Sequence, residues 1–182
     1  MMKRLQRDSI LVSLIESLRE RGSWCGETHV QKVSYFLQEL LRVPLGFNFI
    51  LYKHGPFSFD LSDALAQMEA DFIIRPVPQS PYGPTITLDS TSALLKKKFP
   101  KTIGKHQDTV QFVADKLANK NVAELERVAT AMYVTVEENA GGKKSVRAKR
   151  IHELKPHISI EKALEAVREF DQIQSDAQKI RN

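Results

Sequence analysis

An α+β fold, mostly α, is predicted: a winged-helix-like unit with a small β-hairpin over residues 1–90, and a helical basic extension over residues 91–182 packed on it as one compact domain. Three observations predict it. Apolar residues recur at helical spacing along most of the chain, β-prone runs are confined to residues 47–88, and the charge balance changes sign near the middle.

Asp8 or Ser9 is placed to cap a first helix with Ile10, Leu11, Leu14, Ile15 and Leu18 on one stripe, ending at Gly22. Thr28 opens a second helix with Val30, Val33, Phe36, Leu37, Leu40 and Leu41, and Pro44 stops it. A short Ser-Trp-Cys-Gly turn joins the two, as at the start of a helix-turn-helix unit. Phe47, Phe49 and Leu51 alternate with Asn48, Ile50 and Tyr52, which predicts a strand broken at Gly55-Pro56. Ser58 or Asp60 then caps a third helix carrying Leu61, Leu65 and Met68. Phe72-Ile73-Ile74 and Thr85-Ile86-Thr87-Leu88 read as two short strands around a proline-rich loop, the layout of a wing. Beyond Asp89 the pattern is helical. Val110, Val113 and Leu117 mark one helix, and Asn121 caps the next, which Gly141-Gly142 ends. Ser145 begins a short one stopped by Pro156, and Ser159 caps the last, with a polar tail from Gln174 expected to fray.

The 182 residues carry 27 Lys and Arg against 22 Asp and Glu. Residues 1–90 hold 9 and 10 of these, and residues 91–182 hold 18 and 12, so attraction for nucleic acid belongs to the second half. The lone Cys25 rules out an internal disulfide and suits a reducing, cytoplasmic setting. The basic start runs into an amphipathic helix interrupted by Glu16 and Glu20, so neither a signal peptide nor a membrane span is expected.

Two stretches carry a family resemblance. Val30-Gln31-Lys32-Val33-Ser34-Tyr35-Phe36 resembles the Leu-Gln-Lys-x-x-Tyr-Phe helix of Panacea-domain (SocA-like) and YwgA-like proteins, with Val30 where leucine is commoner. Tyr52-Lys53-His54-Gly55-Pro56-Phe57-Ser58 resembles the Tyr-x-x-Gly-Pro-Tyr/Phe-Ser turn that follows in those families. The resemblance covers about residues 10–90, and Lys155-Pro156 echoes a further family feature. It implies a small antitoxin that neutralises a toxin by binding it, or a proteolysis adaptor, and it brings no catalytic set.

Gln31 and Tyr35, four apart on a helix, share a face expected to contact a protein partner, together with Asp60 and Asp63 in the first turn of the third helix. Gly55, Pro56 and Ser58 are expected to be architectural, aiming the strand into that helix. No catalytic residue, cofactor or metal is expected. Cys25, His29 and His54 lack an oxyanion hole and an orienting acid, and His106, His152 and His157 lack metal-ligand spacing. The alternative function is nucleic-acid binding through Lys143, Lys144, Arg147, Lys149 and Arg150, a block without acids, as is Lys96, Lys97, Lys98, Lys101 and Lys105. Specific readout by the third helix is disfavoured, because Asp60, Asp63, Glu69 and Asp71 would face phosphates with no Lys or Arg between them.

Overall fold

The computed structural model describes residues 2–138, 140 and 142–181. The fold is α+β and mostly α. Helix α1 (Arg4–Glu20) is followed by α2 (Glu27–Tyr35), which runs into a π-helical turn at Phe36–Leu40. Strands β1 (Ile50–Tyr52) and β2 (Gly55–Phe57) lead into α3 (Phe59–Ala70), then β3 (Ile74–Val77) and β4 (Thr85–Leu88). Helices α4 (Ser92–Lys98), α5 (Pro100–Leu117), α6 (Val122–Val136), α7 (Lys144–Leu154) and α8 (Ile160–Arg181) complete the chain.

Helix α1 begins a turn earlier than its sequence cap suggests. Lys3 is the N-cap, its backbone N–H donating to Gln6 Oε1 at 3.2 Å, and Asp8 lies buried inside the helix. The stripe Ile10, Leu11, Leu14, Ile15 and Leu18 is fully buried, because α5, α4, α2 and β4 pack around it. A helix covered on so many sides needs little amphipathicity, and its small Ser9, Ser13 and Ser17 let neighbours approach.

The expected single strand at residues 47–52 is corrected to a hairpin. Burial does alternate from Leu41 to Asn48, but the ladder starts only at Ile50. Gly55-Pro56 does not break this strand; it forms the return strand, with Ile50 opposite Phe57, Leu51 opposite Pro56 and Tyr52 opposite Gly55. Proline is tolerated there because β2 pairs on one side only. The second hairpin pairs Ile74 with Leu88 through Val77 with Thr85, so β1–β2 and β3–β4 are two separate antiparallel sheets.

Asn121 caps α6 as expected, in a capping box with Glu124 (3.0 and 2.8 Å). Helix α6 ends at Val136, before the expected Gly141-Gly142 stop, of which Gly141 lies outside the described residues. The polar C-terminal stretch is helical to Arg181: Ala177 is buried, and Lys116 of α5 donates to Asp176 at 2.8 Å, while Asn182 lies outside the described residues. The two halves interlock, since α5 packs on α1 and α6 packs on both α2 and β2.

Candidate functional site

Both family-like motifs meet at the Gly55-Pro56 corner. Gln31 extends from α2 and clasps Ser58 twice: its Nε2 donates to the Ser58 carbonyl and its Oε1 accepts from the Ser58 N–H, each at 2.9 Å. Ser58 is thus fixed as the N-cap of α3, its Oγ accepting from Leu61 N at 3.3 Å. Gly55 has φ +84, and a Cβ on it would stand 3.2 Å from Thr130 Oγ1 and 3.4 Å from the Glu126 carbonyl of α6. The turn is therefore architectural for two reasons, a left-handed backbone and a close helix.

A buried charge cluster lies beneath this corner. Lys32, 1% exposed, brings its Cε to within 3.6 Å of that same Cβ position. Burial pushes its ammonium down to about 8; Glu126 pulls it back up and Lys155 drives it further down. Lys155 donates to the Tyr52 and Lys53 carbonyls (2.8 Å to the latter) and lies 4.0 Å from Glu126. His157 and His54 approach the same carboxylate at 3.1 and 3.9 Å. Besides the packing of α6 on β2, Lys155 ties the C-terminal half to the hairpin by hydrogen bonds to its turn. Sequence spacing alone cannot reveal that, because the residues involved are a hundred positions apart.

The expected contact face on α2 is corrected. Gln31 and Tyr35 are both fully buried: Gln31 is spent on Ser58, and the Tyr35 ring packs edge-on against Phe36 and Phe49 at 6.3 and 5.2 Å. Desolvation drives the Tyr35 hydroxyl well above the usual phenol range. Asp60 and Asp63 are exposed, and Asp60 Oδ2 also accepts from Asn48 N at 3.3 Å.

Beside those carboxylates lies a face that sequence spacing did not reveal. The β1–β2 register puts Ile50, Tyr52 and Phe57 on one side of the hairpin, and Phe59 continues it into α3. Ile50, Tyr52 and Phe59 are 41%, 42% and 54% exposed. The rings of Tyr52, Phe57 and Phe59 stand 5.1–5.7 Å apart in mutual contact. The signal was present: once residues 53–54 are taken as a two-residue turn, the aromatic positions fall on one face. Reading Gly55-Pro56 as a break hid it.

The basic block on α7 is largely occupied. Arg147 is buried and grips Asp171 of α8 with both terminal guanidinium nitrogens, at 2.7 and 2.9 Å. Arg150 grips Glu138 at 2.8 and 2.9 Å, which raises its already high pKa, and Lys144 lies 3.8 Å from Asp171. Lys143 and Lys149 are exposed. Cys25 is buried, and desolvation pushes its thiol up to about 12, so it is held as an inert thiol. Among the described residues, no group of three or more His, Cys, Asp and Glu is arranged to hold a metal ion, and no helix is long and apolar enough to cross a membrane. No family model and no curated protein matches this chain.

Proposed function

We propose that this chain is a non-enzymatic regulator acting by protein–protein contact, an antitoxin or adaptor of Panacea, SocA-like type. The observation that carries the reading is the face of exposed Ile50, Tyr52 and Phe59 around a half-buried Phe57, bordered by Asp60 and Asp63. Tyrosine and other aromatic residues are enriched at interfaces, and contiguous exposed apolar patches mark contact sites. The face is supported from behind: Gln31 holds Ser58 at its end, Lys155 holds its turn, and α6 packs on β2. Helix α3 and the β3–β4 hairpin, winged-helix-like in their order, serve here as scaffold, not as a reader of DNA. The nucleic-acid alternative is weakened because Lys144, Arg147 and Arg150 already face internal carboxylates.

The test is partner capture by wild-type chain from cells of its own host, compared with Tyr52→Ala/Phe59→Ala and Asp60→Lys/Asp63→Lys. Each truncated aromatic should weaken the complex by about 2 kcal/mol or more if it is a central anchor. Asp60 lies in the first turn of α3, so its reversal should cost only about 0.3–1 kcal/mol, and Asp63 is an exposed residue of the next turn, so circular dichroism should be unaltered. A partner retained by both double variants, and lost only on neutralising residues 143–150, would sink this reading.

A further inference from the structure

A cavity of about 1050 Å³ opens between the start of α2, helix α3, the β3–β4 hairpin and the α5–α6 junction. It matches the upper range of small-molecule sites. Leu65, Ile74 and Ile86 give it apolar walls. At its rim Trp24 and Tyr82 stand edge to face at 5.0 Å, with Trp24 Nε1 donating to the Gly83 carbonyl at 3.0 Å.

Its charged lining groups are Glu27, Glu69 and Lys120, and its one buried titratable side chain is His29. His29 lines the cavity at 4% exposure, and its Nδ1 has no hydrogen-bond partner among the described residues. Burial lowers its pKa below the ordinary imidazole value, against a smaller raising influence of the Lys120 backbone, which favours the neutral ring. With its proton on Nε2, a neutral imidazole presents Nδ1 as a bare acceptor. A buried acceptor without a donor is costly unless something fills the role.

The charges favour a cation. Glu27 and Glu69 both line the cavity, and Lys120, which also lines it, is paired with Glu169 of α8. The helix starts that open here do not reverse this. The positive end of α2, about half a unit charge, offsets only part of the Glu27 carboxylate in its own first turn, and that of α6 is met by its Asn121–Glu124 capping box. Glu27 also accepts from Ser62 Oγ, which holds it toward α3.

We propose that this cavity binds a small organic amine, a protonated nitrogen on an aromatic or alkyl body, which donates to His29 Nδ1 and is charge-matched by Glu27 and Glu69. Trp24 and Tyr82 supply the aromatic surface that favours a cation and packs its apolar body.

The chain contains one tryptophan, so Trp24 fluorescence reports this site alone. Three probes of similar size separate the contributions: 2-phenylethylamine, 2-phenylethanol and phenylacetate. The amine should give a saturable change in Trp24 emission, matched by calorimetry. The alcohol should bind at least about tenfold more weakly, a difference of about 1.4 kcal/mol, and phenylacetate should not bind. Glu69 and Ala66 are exposed residues of α3 on the cavity wall, so changing them spares the core. Glu69→Gln should weaken the amine several-fold and leave the alcohol unchanged, and Ala66→Phe should block both. Phenylacetate binding as well as the amine would overturn the proposal. So would binding indifferent to Ala66→Phe, or no saturable signal from any of the three.

Discussion

Single residues at the Gly55-Pro56 corner set the geometry that the rest of the molecule uses. Gly55 and Gly22 share a left-handed backbone, with φ +84 and +79, but a Cβ on Gly22 would meet nothing within 4 Å. The pair therefore separates strain from crowding. Gly22→Ala should lose only the backbone contribution, about 1 kcal/mol. Gly55→Ala must also displace Thr130 or the Glu126 carbonyl, so its cost should exceed that of Gly22→Ala and reach about 1–3 kcal/mol. Urea unfolding midpoints of the two variants test this. Equal losses would mean that α6 gives way freely and that the corner is not held from behind.

Elements were legible where the signal is local, and less so where it depends on pairing. Asn121 and Ser58 announced their caps because a short polar side chain before an apolar run needs no tertiary partner. The β1–β2 hairpin was misread because Gly55-Pro56 has the composition of a breaker, while its actual role depends on α6 covering it. Gln31 and Tyr35 shared a helical face, as their spacing implied, but whether that face meets solvent is decided by the hairpin and by Phe49. Basic helices are misjudged for the same reason. The α7 block looks acid-free in sequence, yet Asp171 reaches it from α8 and Glu138 from just past the end of α6. Binding of duplex DNA should accordingly be weak and steeply salt-dependent. Lys143→Gln and Lys149→Gln should each reduce the log–log salt slope by roughly 0.9 on any sequence. Arg147→Gln should instead lower fold stability, because it breaks the pair that joins α7 to α8. Sequence-selective binding that survives high salt would contradict these assignments.

At the scale of the whole molecule, the buried cluster around Lys32 is one place where the two halves are joined, beside the packing of α5 on α1. It brings together α2, the β1–β2 hairpin, α6 and Lys155. Its energetics should emerge in the pH dependence of stability. Burial lowers Lys32 to about 8 from its ordinary 10.5, so between those values the unfolded chain holds a proton that the folded chain has released. Stability therefore rises with pH through that window as far as Lys32 is concerned. Two other buried groups act in the opposite sense. Desolvation raises Cys25 and Tyr35, so each keeps its proton in the fold after the unfolded chain has lost it, and stability falls as pH rises past about 9 to 10. The raw profile of the wild type mixes these trends, and only a difference isolates the lysine. Lys32→Met keeps the length and apolar stem and removes the charge, while Glu126 retains Lys155 and His157. The variant should be more stable than wild type at pH 7, by up to about 3 kcal/mol as an upper bound. The gap should narrow as pH rises from about 8 towards 10.5, the window in which the folded wild type has shed the proton its unfolded chain still holds. Chemical denaturation of both proteins from pH 7 to about pH 10 tests it. A gap independent of pH would place the Lys32 ammonium in an environment as favourable as water. A less stable variant at pH 7 would mean that the Lys32–Glu126 attraction outweighs the cost of burying the ammonium.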